Sequence, residues 1–336
     1  MLRSDPIRVL VTGGAGFIGS HLVESLLKDG QKVTVIDDLS TGRMENISHL
    51  VHNKNLSVYI DTILNENLMR RLISKSEFIY HLAAAVGVKY IIENPLRSIQ
   101  TNVRGTEIVL ELSSELSRGK RKKKVLLTST SEIYGKNENI PFKEGDDRVL
   151  GPTTINRWSY SCTKALDEFL ALAYYEEKKL PVIVVRLFNT CGPRQVGDYG
   201  MVIPRFIEQA ISNRPITVYG NGKQTRSFLY VGDAVKAMKL LSRYPEATGE
   251  IFNIGSPEGI TIKELAKKII NLTGSKSKIQ YIPYRKVYQN HFEDMIHRLP
   301  DITKIKALIG FKSIYNLNDI LKEMIAEYSR RRTRCR

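Results

Sequence analysis

The stretch Ile7-Arg8-Val9-Leu10-Val11-Thr12-Gly13-Gly14-Ala15-Gly16-Phe17-Ile18-Gly19-Ser20-His21 decides the fold. An apolar run broken only by Arg8 reads as a buried strand, and a helical pattern runs from Gly16 to Lys28. Between them lies a turn with glycines at 13, 14, 16 and 19. The physical chemistry wants glycines there. One permits the tight turn, one lets the backbone approach a pyrophosphate, and one lets the helix pack closely on the strand. The helix start then offers an anion free N–H groups and the positive end of the dipole.

A second apolar run, 32–36, ends on Asp37, 18 residues beyond the last glycine of the turn. A carboxylate at that place accepts hydrogen bonds from a ribose hydroxyl and repels a 2′-phosphate, which favours NAD over NADP. Asp38 strengthens that bias. Gly13, Gly16, Phe17, Ile18 and Gly19, with Asp37 and Asp38, are the candidate cofactor-binding residues. Asp61, just past the third apolar run, is a further candidate, for the adenine amino group, or else an exposed turn acid.

Working outward, further strands are predicted at 56–60, 78–81, 125–128 and 181–186, with helical spacing of apolar residues near 65–73, 95–116 and 159–177. Strand–helix alternation with near-continuous Val, Ile and Leu strands means a parallel sheet covered on both faces. The expected fold class is α/β: a Rossmann-type doubly wound sheet with a smaller C-terminal α/β substrate domain. The expected division is 1–188 for the dinucleotide-binding domain. Residues 189–336 would mainly bind substrate, with some segments returning to the first domain. Gly- and Pro-rich loops break the regularity after Asn189, and two helical patterns, near 260–272 and 317–328, close the chain.

The 336 residues, 42% hydrophobic and 26% charged, suit a globular protein and not a disordered or fibrous one. No run of about 18 apolar residues offers a membrane span, and the N-terminus lacks the pattern of a secretory leader. Three cysteines without metal-ligand spacing imply no metal site and fit a reducing cytoplasm. The net charge of +16 comes largely from two runs, 118–124 with six basic residues and 330–336 with five arginines. Neither run carries interleaved aromatics for base stacking, so solvated surface is expected and a nucleic-acid partner is not.

Tyr160-Ser161-Cys162-Thr163-Lys164 places a phenol and an ammonium at i and i+4 on one helix face. A tyrosine is a weak base at neutral pH until a neighbouring cation stabilises its phenolate. So assisted, it can take a proton from a sugar hydroxyl while hydride leaves for NAD+. The strand 125–128 runs into Ser129-Thr130-Ser131-Glu132-Ile133-Tyr134-Gly135, at the sheet edge where reacting groups sit. Thr130 can share a hydrogen bond with the hydroxyl being oxidised, and Glu132 offers a carboxylate for proton transfer.

These residues together resemble the extended short-chain dehydrogenase/reductase family, in its nucleotide-sugar epimerases, decarboxylases and dehydratases. The resemblance continues through His81-Leu82-Ala83-Ala84, Thr101-Asn102-Val103-Arg104-Gly105-Thr106, Arg186-Leu187-Phe188-Asn189-Thr190 and Gly192-Pro193-Arg194. It extends to Val218-Tyr219-Gly220-Asn221-Gly222, Gln224-Thr225-Arg226 and Arg298-Leu299-Pro300-Asp301-Ile302. It implies NAD recycled within each turnover and Thr130, Tyr160 and Lys164 as a catalytic trio. It also implies a nucleotide diphosphate, UDP-linked in the closest patterns, with Asn189, Arg226 and Arg298 as candidate ligands. A homodimer through a four-helix bundle is implied too, with helices near 97–116 and 159–177.

All members of the group first make a 4-keto sugar. Ser-Thr-Ser-Glu followed by Tyr-Gly at 129–135 resembles UDP-glucuronate decarboxylases and some 4,6-dehydratases, although Ser131 stands where other dehydratases carry an acid. Gly192-Pro193-Arg194-Gln195 and the segment 200–205 look more like the epimerases. The expected order is therefore 4-epimerisation of a UDP-sugar, such as UDP-glucose or UDP-glucuronate, then UDP-glucuronate decarboxylation, then 4,6-dehydration. A non-catalytic NAD-binding scaffold is the alternative of another class, and the intact Thr130, Tyr160 and Lys164 argue against it.

Overall fold

A computed structural model describes residues 6–117, 119, 122–197, 200–288 and 293–334. Its first half alternates strand and helix. The order is β1 (Arg8–Thr12), α1 (Phe17–Lys28), β2 (Lys32–Asp37), β3 (Leu56–Ile60), α2 (Glu66–Ser74) and β4 (Phe78–His81). Then follow α3 (Pro95–Glu115), β5 (Lys124–Thr130), α4 (Arg157–Lys178) and β6 (Val182–Leu187). A seventh strand, β7 (Ile251–Ile254), returns from late in the chain to pair in parallel with β6. The sheet order is β7-β6-β5-β4-β1-β2-β3, and every neighbouring pair is parallel.

The alternation of side chains along each strand sorts the core into two layers. Val9, Val11, Val33 and Val35 face one side, against α1 and the later helix α5 (Val231–Leu241). Leu10, Ile36, Ile79, Val125 and Leu127 face the other, against α2, α3 and α4. Both faces are covered, which is why the strands read as unbroken apolar runs. The strand order reverses between β1 and β4, and that switch point opens a crevice at the carboxyl ends of the strands.

Over that edge lies a smaller layer with its own core. Phe206 and Ile207 from the helix Val202–Ile211, Leu265 and Ile269 from Ile262–Thr273, and Leu321 and Met324 from Leu317–Arg334 pack together there. They cover a parallel pair of strands, Ile216–Tyr219 and Ile279–Ile282. A fourth apolar cluster, with Tyr134, Phe142, Trp158, Phe188 and Met295, joins this layer to the end of β5.

The basic run has a structural use at the opposite edge of the sheet. Lys123 donates to the carbonyls of Ser74 (3.1 Å) and Ser76 (2.6 Å), Lys122 to Lys179 O and Lys124 to Ser242 O. Ammonium groups there complement helix C-termini. Arg118, Lys120, Arg121, Cys335 and Arg336 lie outside the described residues. No helix among the described residues is long and apolar enough to cross a membrane.

Candidate active site

The glycine turn is shaped by close backbone approach. Gly13 has a φ of 72°, in the left-handed region, and a Cβ there would lie 2.8 Å from the backbone nitrogen of Ala83. A Cβ on Gly19 would lie 2.0 Å from the Gly13 carbonyl oxygen, so α1 can start this near the strand only without one. Gly16 caps α1 with no side chain, and the first turn holds no acidic residue. The N–H groups at the helix start are thus left to an anion in the crevice, as a pyrophosphate needs.

Asp37 helps build this turn as well as facing the crevice. Its Oδ2 accepts the Ala15 N–H and its Oδ1 the Leu39 N–H, each at 2.9 Å. Burial pushes its carboxyl above the usual range, against these hydrogen bonds. Asp38 accepts from the Ser40 backbone and hydroxyl, with Arg97 3.7 Å away. Asp61 accepts the Thr62 N–H (2.7 Å) and the Asn65 amide (2.9 Å), which organises the entry to α2. All three acids line one cavity of about 460 Å³ together with Gly13, Gly16, Phe17, Ile18 and Gly19.

The same cavity reaches Thr130, Glu132, Tyr160 and Lys164, and beyond them Asn189, Arg226 and Arg298. Thr130 ends β5, and its hydroxyl accepts the Glu132 N–H at 3.2 Å, starting the tight turn Ser131–Tyr134. Tyr160 and Lys164 come in on the first turns of α4. The sequence reading has Lys164 lowering the tyrosine's pKa. The structure instead pairs the lysine Nζ with Asp167 Oδ2 at 2.8 Å, both groups buried. Tyr160 is pushed above its usual range by burial and by the Glu132 charge, against the Thr130 hydroxyl facing it. Burial is the largest of these effects, and the Asp167 charge acts in the same direction.

Three guanidiniums and two carboxylates form a buried network beside the tyrosine. Arg157 reaches Glu132 Oε1 at 3.5 Å and Asp294 Oδ1 at 3.1 Å. Arg298 reaches the same Glu132 oxygen at 3.3 Å and donates to the Ser131 hydroxyl at 2.6 Å. Arg226 holds Asp294 at 2.8 Å, and the Tyr284 hydroxyl also donates to Asp294. Burial alone would raise Glu132, but the Arg157 and Arg298 charges hold it below the usual carboxylate range. Burial lowers Arg298 to about 10, against the pull of Glu132. Asn189 donates its side-chain amide to Ser227 O at 2.8 Å and shapes the cavity wall.

Sequence reasoning missed Arg157, Asp294 and Asp167. Asp167 sits three residues after Lys164, a spacing that shares a helix face, and that signal was available. Arg157 precedes the tyrosine by three and was equally visible. Asp294 belongs to a loop with no periodicity, and only the fold brings it to Arg226.

The model of the GDP-mannose 4,6 dehydratase family matches residues 10–324. The chain belongs to the extended short-chain dehydrogenase/reductase enzymes that remodel nucleotide-sugars. Among curated members of this group, a UDP-N-acetyl-alpha-D-glucosaminuronate decarboxylase of Bacillus cytotoxicus is 44% identical over 319 residues, 95% of this chain and 96% of that protein. UDP-glucuronic acid decarboxylase 1 of Danio rerio is 36% identical over 331 residues, 98% of this chain and 74% of that protein. Among solved structures, the UDP-glucuronic acid 4-epimerase of Bacillus cereus in complex with UDP-glucuronic acid and NAD superposes with a TM-score of 0.86. It is 26% identical, with 96% of this chain and 99% of that chain covered. Like the other members, this chain is an NAD-dependent enzyme, and the glycine turn and Asp37 fit that cofactor.

Proposed function

We propose that this enzyme decarboxylates a UDP-linked uronic acid, with oxidation at C4 coming first. The observation that carries this reading is Arg298, a guanidinium whose side chain is 11% exposed, held against Ser131 and Glu132 beside Tyr160. A neutral hexose offers such a cation no partner, whereas a carboxylate on C5 gives it one. The network holds three guanidiniums against two carboxylates, so it carries an excess positive charge. Diphosphate and carboxylate are the anions that suit it.

Gly13, Gly16 and Gly19, with Asp37, would hold NAD+, which would supply the hydride acceptor for C4 and the hydride donor that closes the turnover. Tyr160 takes the C4 hydroxyl proton, with the Thr130 hydroxyl beside it. The resulting ketone is β to the carboxylate, so the C5–C6 bond breaks and its electron pair flows to O4 as carbon dioxide departs. Thr130, Tyr160 and Lys164 stand where that oxygen becomes negative, and Glu132 repels charge where it departs. A proton then returns to C5, and the product is a UDP-pentose. The curated relatives support this order over the epimerase-first expectation, because the two most similar in sequence described above are both decarboxylases.

A second reading, 4-epimerisation of the same uronate, draws support from the similarity to the Bacillus cereus epimerase. Incubation with UDP-glucuronate and with UDP-N-acetylglucosaminuronate, followed by mass and NMR analysis, separates the two. Loss of carbon dioxide supports the decarboxylase. An unchanged mass with an inverted C4 overturns it in favour of the epimerase.

We also propose a homodimer through α3 and α4. Leu96 and Ile99 on α3, with Leu166 and Phe169 on α4, are exposed large apolar residues, Leu96 at 68% and Phe169 at 65%. Their three-residue spacing puts each pair on one face of its helix, and the two helices pack side by side.

A further inference from the structure

The i+3 partner of Lys164 is a fully buried acid. Asp167 Oδ2 takes the Nζ of Lys164 at 2.8 Å, while its Oδ1 lies buried with no hydrogen-bond partner in bonding geometry. Burial pushes the Asp167 carboxyl up, against the Lys164 ammonium and the Thr106 hydroxyl beside it, both of which favour its charged form. Behind Thr106 runs a line of donors from the cofactor turn. Thr12 Oγ1 accepts the Ala83 N–H at 3.1 Å, which leaves its own proton for His81 Nδ1 at 2.8 Å. The His81 proton then sits on Nε2 and points to Thr106 Oγ1, 3.2 Å away. Burial and the Lys164 charge hold this histidine neutral, down to about 3. The only anion in the line is Asp167, and the cation it faces is the lysine of the reaction site.

We propose that Asp167 is a positioning residue, which holds the Lys164 ammonium in an ion pair and so withholds part of its charge from the Tyr160 phenol. This rests on the reading of Tyr160 as the base that takes the C4 proton. The charged groups facing the pair are few. Glu132 and Arg298 approach Tyr160 from the end of β5 and from the 298 loop, with Arg157 behind Glu132. His81 faces Lys164 from the end of β4. Glu168, next to Asp167, is occupied by Arg186 at 2.7 Å. Of these, Asp167 is the one that binds the lysine directly. Its negative charge favours the neutral phenol, and the unshielded ammonium would favour the phenolate.

The test uses the purified enzyme saturated with NAD+. The ultraviolet difference spectrum of tyrosinate is titrated against pH, with the Tyr160→Phe spectrum subtracted. The pH profile of kcat/KM on UDP-glucuronate is measured beside it. In Asp167→Asn the carboxylate charge is gone, and both midpoints are expected to move down by roughly one pH unit. Asp167→Glu, which restores the charge, is expected to move them back toward the parent. Unmoved midpoints with a lower kcat would make Asp167 a structural residue and overturn the inference. Should Asp167→Asn fail to fold, Asp167→Ser carries the same comparison, and failure of both also assigns a structural role and overturns it. The underlying reading fails differently, through retained turnover in Tyr160→Phe.

Discussion

In the proposed decarboxylation, negative charge leaves the substrate carboxylate and arrives on O4, and the cavity holds ionic groups suited to both ends. Arg298 is the group on which the substrate assignment turns. Replacing it by Gln keeps most of the volume and removes the cation. We expect kcat/KM for a uronate to fall by about 10²-fold or more, since charge-assisted hydrogen bonds are worth about 1.5–3 kcal/mol each, while NAD affinity is retained. Steady-state kinetics with cofactor titration checks this, and an unchanged kcat/KM would remove Arg298 from the substrate site. Glu132 makes a prediction about stability. Its folded carboxyl is held below the unfolded value of 4.5, so its charge stabilises the fold above about that pH, and the stabilisation is lost as pH falls through the folded value. Glu132→Gln leaves two buried arginines short of a partner, at a cost of about 3 kcal/mol. Urea unfolding should show the full gap from parent at pH 7, a similar gap near pH 5, and a narrowing gap below pH 4.5. A gap that widens on acidification would contradict the charge assignment.

At the scale of elements, α4 carries two jobs on two faces. Tyr160 and Lys164 look into the cavity, while Leu166 and Phe169 stand on the exposed side. Helical periodicity lets one helix do both, and it would tie the site's rigidity to whatever covers the outer face. If α3 and α4 meet their copies there, a charge at Phe169 has to be buried unpaired, which costs several kcal/mol. Phe169→Glu is therefore expected to shift the protein from dimer to monomer in sedimentation velocity, with secondary structure unchanged. A parent protein that sediments as a monomer would remove the proposed bundle. The loop lysines belong to this scale too. Lys122, Lys123 and Lys124 spend their donors on backbone carbonyls, which accounts for part of the basic run without any polyanionic partner.

For the whole molecule, the parallel sheet and its crevice were legible because glycine spacing and apolar runs are local patterns. The six strands of the first half, β1 to β6, are legible from sequence with boundaries within one residue, except that β5 runs two residues further, to Thr130. The strand Ile251–Ile254 was not read. It is four residues long, and it joins the sheet only through β6, a long way back along the chain. The site was legible where one short segment carries two groups, as with Tyr160 and Lys164, or Thr130 and Glu132. It was not legible where distant segments meet, since nothing local ties Asp294 to Arg226, or Arg298 to Ser131. Epimerisation ranks first from sequence because 192–195 and 200–205 look like the epimerases, and those segments say nothing of the contacts of Arg298. The most direct measurement is turnover of UDP-glucuronate by the NAD-loaded enzyme in deuterium oxide, with the product analysed by mass and NMR. Decarboxylation through the C4 ketone predicts carbon dioxide and a UDP-pentose with one solvent deuterium at C5. A UDP-uronate of unchanged carbon count, inverted at C4 and free of deuterium at C5, would contradict the account.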